Sequence, residues 1–393
     1  MWKVGLILFT AAALLGGAAC KSSGGGAKTY SVQVDGRQAD FVAAFLAYFP
    51  NDVQAHPGDT VEFKSIYNGE PHTVTAGKSV DDVFNIIKQA CPNGGLADPS
   101  CQRGPPAQYA DQYKKADAKL PQLLPQGPGD VIQAAGQPCY LTTGDAPADG
   151  SACPKDKQTQ TDFDGTQTYY NSGFMPESAL FTVKLSKNIK PGTYHYYCLL
   201  HREGMSGTIT VVDSKTKVPS PSEVKTKGDT QFNDMVTKLK PVADQLAKVS
   251  KDKAQAGGSS PGVREASVNE FGPKEIDIKE GESVTWTIDG PHTISFNTPS
   301  DAKSLLVKGA DGAYHENRRA GAPSNSPGQP TDPNASPLID AGNWDGTGFL
   351  SSGVVLSFGQ PVYQYKLTFT KAGMYNYECL IHPGMGAKVV VSK

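Results

Sequence analysis

The sequence predicts an all-β chain of two antiparallel Greek-key β-sandwich domains with long insertions and a partly helical linker. Three observations carry this prediction. One module is written twice along the 393 residues. Each copy is a succession of short alternating runs broken by Gly and Pro turns, and each closes on an aromatic strand followed by a valine-rich one. At about 150 residues per domain the length allows two or three domains, and the repeat favours two. The 42 Gly and 29 Pro suit a turn-rich fold, and a net charge of −2 gives no reason to expect a nucleic-acid partner.

The first twenty residues, MWKVGLILFTAAALLGGAAC, join a basic Lys3 to an apolar run and then to small residues, the pattern of an export signal over 1–20. Small residues before Cys20 resemble a bacterial lipoprotein cleavage site, although Gly17 stands where such sites usually carry Leu; an uncleaved anchor or ordinary signal peptide is the alternative. Residues 21–29, with KSSGGGAK, then read as a flexible tether. The expected location is exported, periplasmic or cell-surface, held to a bacterial membrane by a lipid on Cys20. No other stretch is long and apolar enough to span a bilayer.

The first domain is expected over 30–213. It starts with YSVQV and FVAAFLAYF, and the turn Pro57-Gly58-Asp59 leads into a strand through Val61 and Phe63 to His72. An insertion over about 78–162 holds a helix, SVDDVFNIIKQA, with Ser79 as its N-cap, and four clustered cysteines. Proximity favours Cys91 with Cys101 and Cys139 with Cys153, although four cysteines allow three pairings. These read as staples for a core-poor loop. FDGTQTYYNSGF, ALFTVKL, the aromatic strand and a closing strand complete the module.

A linker is expected over 214–265. VPSPSEVKTKGD and GGSSPG are loop-like, while Phe232, Met235, Val236, Leu239, Val242, Leu246 and Val249 recur at helical spacing, interrupted by Pro241. The second domain is expected over 266–393, with an insertion at about 298–342. Its IDIKEGESVTWTIDGPHTISF repeats the first module: Gly281 answers Gly58, Val284 answers Val61, Trp286 answers Phe63 and His292 answers His72. WDGTGFLSSGV echoes FDGTQTYYNSGF, and YQYKLTF echoes ALFTVKL.

Near its end each module carries a cysteine, a histidine three residues later, and a methionine: YHYYCLLHREGM and YNYECLIHPGM. Thiolate and neutral imidazole are ligands for soft or borderline metals, and two His, one Cys and a weak axial Met form the blue-copper set. The candidate ligands are His72, Cys198, His201 and Met205 in the first module, and His292, Cys379, His382 and Met385 in the second. A sandwich brings the strand ends that bear them to one pole. Cys198 and Cys379 therefore stay unpaired because they bind metal. His56, His195 and His315 read as ordinary residues.

These stretches resemble the plastocyanin, amicyanin and pseudoazurin group of cupredoxins. GTYHYYCLLHREGM and GMYNYECLIHPGM match the last strand and ligand loop of that family, and PHTV and PHTI match its first histidine. The resemblance covers the start and end of each module but neither the insertions nor the linker. The second loop is similar to that of amicyanin, while the first has one more residue between His201 and Met205. It implies two type 1 copper ions, one per domain, and a non-enzymatic carrier that shuttles single electrons between redox proteins. Exposed edges of His201 and His382 would be the doors, ringed by Leu199, Leu200, Leu380, Ile381 and Pro383. By strand alternation Tyr194 and Tyr196 should be core, and Tyr197 should face outward as a second electron route. Copper storage or delivery is the alternative. A copper oxidoreductase needs further histidines, and only three of seven remain.

Overall fold

The computed structural model describes residues 26–66, 69–90, 106–123, 133–146, 152–260, 262–310, 314–332, 334–357 and 361–393. The export signal with Cys20, most of the tether, and Cys91 with Cys101 lie outside the described residues. No described helix is long and apolar enough to cross a membrane.

The first half contributes β1 (Thr29–Val34), β2 (Ala43–Phe45), β3 (Tyr48–Phe49), β4 (Asp52–Ala55), β5 (Thr60–Ser65) and β6 (Thr75–Ala76). Within the insertion lies β7 (Pro138–Leu141), and after it come β8 (Tyr169–Ser172), β9 (Leu180–Lys184), β10 (Gly192–Cys198) and β11 (Arg202–Val211). Two sheets form, in the orders β3-β1-β5-β9 and β4-β11-β10-β6-β8-β7. Alternation in β1 and β5 sends Tyr30, Val32, Val61 and Phe63 inward, where they meet Tyr196 and Ile209 from the facing sheet.

The second half repeats this. Its strands are β12 (Ala254–Ser260), β13 (Val263–Gly272), β14 (Glu275–Lys279), β15 (Ser283–Ile288), β16 (Gly290–His292) and β17 (Ser295–Phe296). A hairpin of β18 (Leu306–Lys308) and β19 (Tyr314–Glu316) lies in the insertion. Then follow β20 (Leu338–Trp344), β21 (Leu350–Ser351), β22 (Val355–Ser357), β23 (Gln364–Phe369), β24 (Gly373–Glu378) and β25 (Gly386–Ser392). The sheets run β2-β13-β12-β15-β23-β20 and β14-β25-β24-β17-β21 around the buried Trp286. The echo between the modules is real: β8 pairs with β6 as β21 pairs with β17.

Four features differ from the sequence reading. The sheets are mixed rather than antiparallel: β1 runs parallel to β5 and β4 to β11, and likewise β12 to β15 and β14 to β25. The second domain also begins earlier than expected, because β12 occupies the same place as β1. Its AQAGGSS lacks the large alternating side chains that signal a strand, so tertiary pairing with β15 overrides weak local preference.

The linker, in turn, is mostly one helix, Pro221–Leu246, which runs through Pro241 unbroken. A capping box at Ser220 and Glu223 starts it. Proline there forfeits one helix bond, and packing of Leu239, Ala243 and Leu246 against Phe41, Phe45, Phe49, Val263 and Val268 holds the helix together. This helix and β2 knit the halves into one body: β2 belongs to the first half but pairs with β13 of the second.

The expected first-insertion helix is observed at Lys78–Ala90, one residue earlier than predicted, so Ser79 lies within its first turn instead of capping it. It buries Val80, Val83, Phe84 and Ile87 against the sandwich. Cys139 and Cys153 form the expected disulfide.

Candidate metal centres

His72 precedes β6, Cys198 ends β10, and His201 and Met205 sit in the turn into β11 and in its first residues. The turn tightens where β10 and β11 slip register between Tyr197 and Cys198. Cys198 Sγ lies 3.9 Å from His72 Nδ1 and 3.4 Å from His201 Nδ1. In the second domain Cys379 Sγ lies 3.9 Å from His292 Nδ1 and 3.5 Å from His382 Nδ1. Met385 N donates to His382 O and Cys379 N donates to Met385 O, which closes this loop. Met205 and Met385 are both buried. Six of the eight expected ligands, the histidines and cysteines, are thus placed in two groups, one at the pole of each sandwich, with the donor atoms of each group within 4.8 Å of one another, and each methionine shares the buried core cluster of its domain's cysteine.

The surroundings also repeat. Thr73 N donates to Cys198 Sγ and Thr293 N to Cys379 Sγ, both at 3.4 Å. Leu199 N donates to Thr73 Oγ1 and Leu380 N to Thr293 Oγ1, so each threonine ties the histidine strand to the cysteine loop. Such bonds to the sulfur favour thiolate and hold its direction. Neither threonine was singled out from the sequence, although both stand in the shared Pro-His-Thr.

Each imidazole turns Nδ1 toward its sulfur and commits Nε2 elsewhere, the outer-partner arrangement of metal-ligating histidines. His72 Nε2 donates to Asp35 Oδ2 at 3.1 Å, and His292 Nε2 donates to the Asp289 carbonyl at 3.0 Å. The second histidine is seated over Gly257, whose φ is +75°; a Cβ there would come within 2.0 Å of Nε2. This explains why β12 carries glycine where a strand would otherwise favour a branched residue.

Burial alone would raise the Cys198 and Cys379 thiols, but the histidines facing each sulfur overcome it and hold both well below the ordinary thiol range. Burial likewise works against a charged His382, yet Cys379 and Glu70 raise it to about 10. In the second site His292 Nδ1 and His382 Nδ1 are only 3.2 Å apart. Two imidazole nitrogens this close share either a proton or a metal ion. In the metal-free chain a proton on His382 serves; a thiophilic metal ion fits the same donors.

The expected doors are closed. His382 is fully buried and the His201 side chain is 14% exposed, because the two rings face each other across the domain interface with Glu70 between them. Leu199, Leu380 and Ile381 are buried and Leu200 is half-buried, so no free apolar ring surrounds the histidine edges; Pro383 alone of these five is exposed. Tyr196 is core, as expected, and Tyr194 is partly so. Tyr197 does face away from the first core, but the insertion helix covers it. Its ring lies 5.2 Å from Phe84, and its hydroxyl, 3.2 Å from Asp81 Oδ1 and 3.0 Å from Asn85 Oδ1, donates between them. His56, His195 and His315 lie outside both groups.

No protein-family model matches the chain, and no curated protein matches it. Among solved structures it is similar to reduced auracyanin from Roseiflexus castenholzii, at 17% identity over 48% of this chain and 99% of that one, with a TM-score of 0.23. Auracyanin A, a "blue" copper protein from Chloroflexus aurantiacus, matches at 16% identity over 48% of this chain and 100% of that one, with a TM-score of 0.23. Amicyanin from Paracoccus versutus matches at 21% identity over 37% of this chain and 88% of that one, with a TM-score of 0.16. On its own geometry each half of the chain is a β-sandwich with a His/Cys/His group at one pole.

Proposed function

We propose that the chain is an extracytoplasmic electron carrier that binds two type 1 copper ions, one per sandwich, and is not an enzyme. The observation that carries the reading is the repeated convergence of two Nδ1 atoms on one cysteine sulfur, backed in both domains by a threonine N–H and a buried methionine. His72, Cys198, His201 and Met205 would hold the first ion, and His292, Cys379, His382 and Met385 the second. Bound there, copper supplies a one-electron couple and a thiolate charge-transfer band. The residues contribute rigidity: buried rings pinned at Nε2 and a sulfur fixed by a backbone donor leave the donors little room to move between oxidation states.

Burial of both sites favours electron transfer over copper storage or delivery, which requires a metal that can be handed on. The disulfide fits an oxidising compartment, and lipidation at Cys20 would fix the chain to a membrane beside protein redox partners. An anaerobic redox titration of copper-loaded protein, followed by visible absorption, tests the reading. Reversible bleaching by one electron per copper is expected. Tight cuprous binding with no reversible couple would favour the delivery role instead.

A further inference from the structure

Glu70 belongs to neither ligand set, yet it touches one ring from each. Its Oε1 accepts from His382 Nε2 at 3.0 Å, and its Oε2 lies 3.5 Å from His201 Nε2, an ion-pair contact rather than a formed hydrogen bond. The carboxylate is 8% exposed. Taking such a charge out of water is costly unless it is paired, and its only ionic partners among the described residues are these two rings. The loop that carries it passes unusually close to the other domain: Gly69 has φ +98°, and a Cβ there would lie 1.6 Å from the Ile381 carbonyl oxygen. In the second module Gly290 occupies the place of Glu70, so the bridge is built only once.

We propose that Glu70 is a bridging residue that couples the two metal sites, positioning His201 and His382 together and joining their outward nitrogens by one short path, a hydrogen bond on the His382 side and an ion-pair contact on the His201 side. This rests on the reading that both sites hold copper. An electron that passes between them leaves one copper oxidised and the other reduced; both Nε2–H groups stay in place and no proton moves. The two sites then exchange electrons with each other through the interface, while outside partners must reach them from other faces. Because one carboxylate charge lies beside both rings, its removal acts on both sites.

Glu70→Gln and Glu70→Ala in the full chain test this. In metal-free protein, slowly exchanging Nε2 proton resonances of His382 and His201 are expected by NMR, and both should be lost or shifted in either variant. In copper-loaded protein both variants should keep two blue sites. Both reduction potentials should rise, and internal electron transfer after pulsed reduction should slow on the order of tenfold in Glu70→Ala. Glu70→Gln should recover part of the rate, since its amide oxygen still accepts from one ring. Wild-type rates in Glu70→Ala, a potential change confined to one site, or Nε2 resonances indifferent to both substitutions would overturn the bridge. A wild-type chain that binds no copper would instead defeat the copper reading, and the metal-free resonances would still decide whether Glu70 joins the two rings.

Discussion

Asp35 gives the first site a negative charge that the second lacks, since His292 meets only a backbone carbonyl. A nearby anion favours the more positive oxidation state of a bound metal, so the first site should have the lower potential. Asp35→Asn is expected to raise it by about 1–2 kcal/mol, roughly 40–90 mV for one electron, and to leave the second site unmoved. Spectroelectrochemistry that showed equal shifts at both sites would rule this out. The eight ligands were legible in the sequence because four residue types recur in order with fixed spacing. Asp35, Glu70 and the two threonines were not, because a lone acidic or hydroxyl residue takes its meaning from what the fold sets beside it. Asp35 lies 37 positions from the histidine it fixes, and Glu70 lies 312 from His382.

Among the elements, the insertion helix turns an outward-facing Tyr197 into a covered one and buries part of Asp81 with it. Burial raises the Asp81 carboxyl to about 6, against the opposing Tyr197 hydrogen bond. The folded chain therefore binds this proton more tightly than the unfolded chain. The stability it contributes is present below about pH 4 and is lost as pH rises through about 6. Asp81→Asn should remove about 1–2 kcal/mol of that pH dependence, after allowance for partial exposure, as measured by melting from pH 4 to pH 7. An unchanged pH profile would mean that the carboxyl is solvated.

The disulfide that staples the same insertion should behave differently. Replacing Cys139 and Cys153 by Ser should cost about 2–4 kcal/mol of stability and leave both metal groups intact, as read by denaturant unfolding beside copper content. The helix and the disulfide were readable from local pattern. The glycine-rich β12 was not, because its pairing with β15 and its place under His292 are tertiary facts.

At the scale of the whole molecule the two sandwiches are locked face to face. β2 crosses into the second sheet, and the Pro221–Leu246 helix fills the seam, with Phe232 4.8 Å from Phe45. Phe45→Ala should cost about 3–5 kcal/mol and weaken the joint between the domains; calorimetry is expected to give one unfolding step for the wild type and two separate steps for the variant. The repeat made two domains readable, but not their orientation, since neither module records which pole the other faces. That orientation turns two histidine edges inward instead of offering them to solvent. Copper counted per chain, with visible absorption, in the wild type, Cys198→Ser and Cys379→Ser tests the two-site reading most directly. Two coppers in the wild type and one remaining blue site in each folded single variant are predicted; one copper in the wild type, or none in either folded variant, would contradict it.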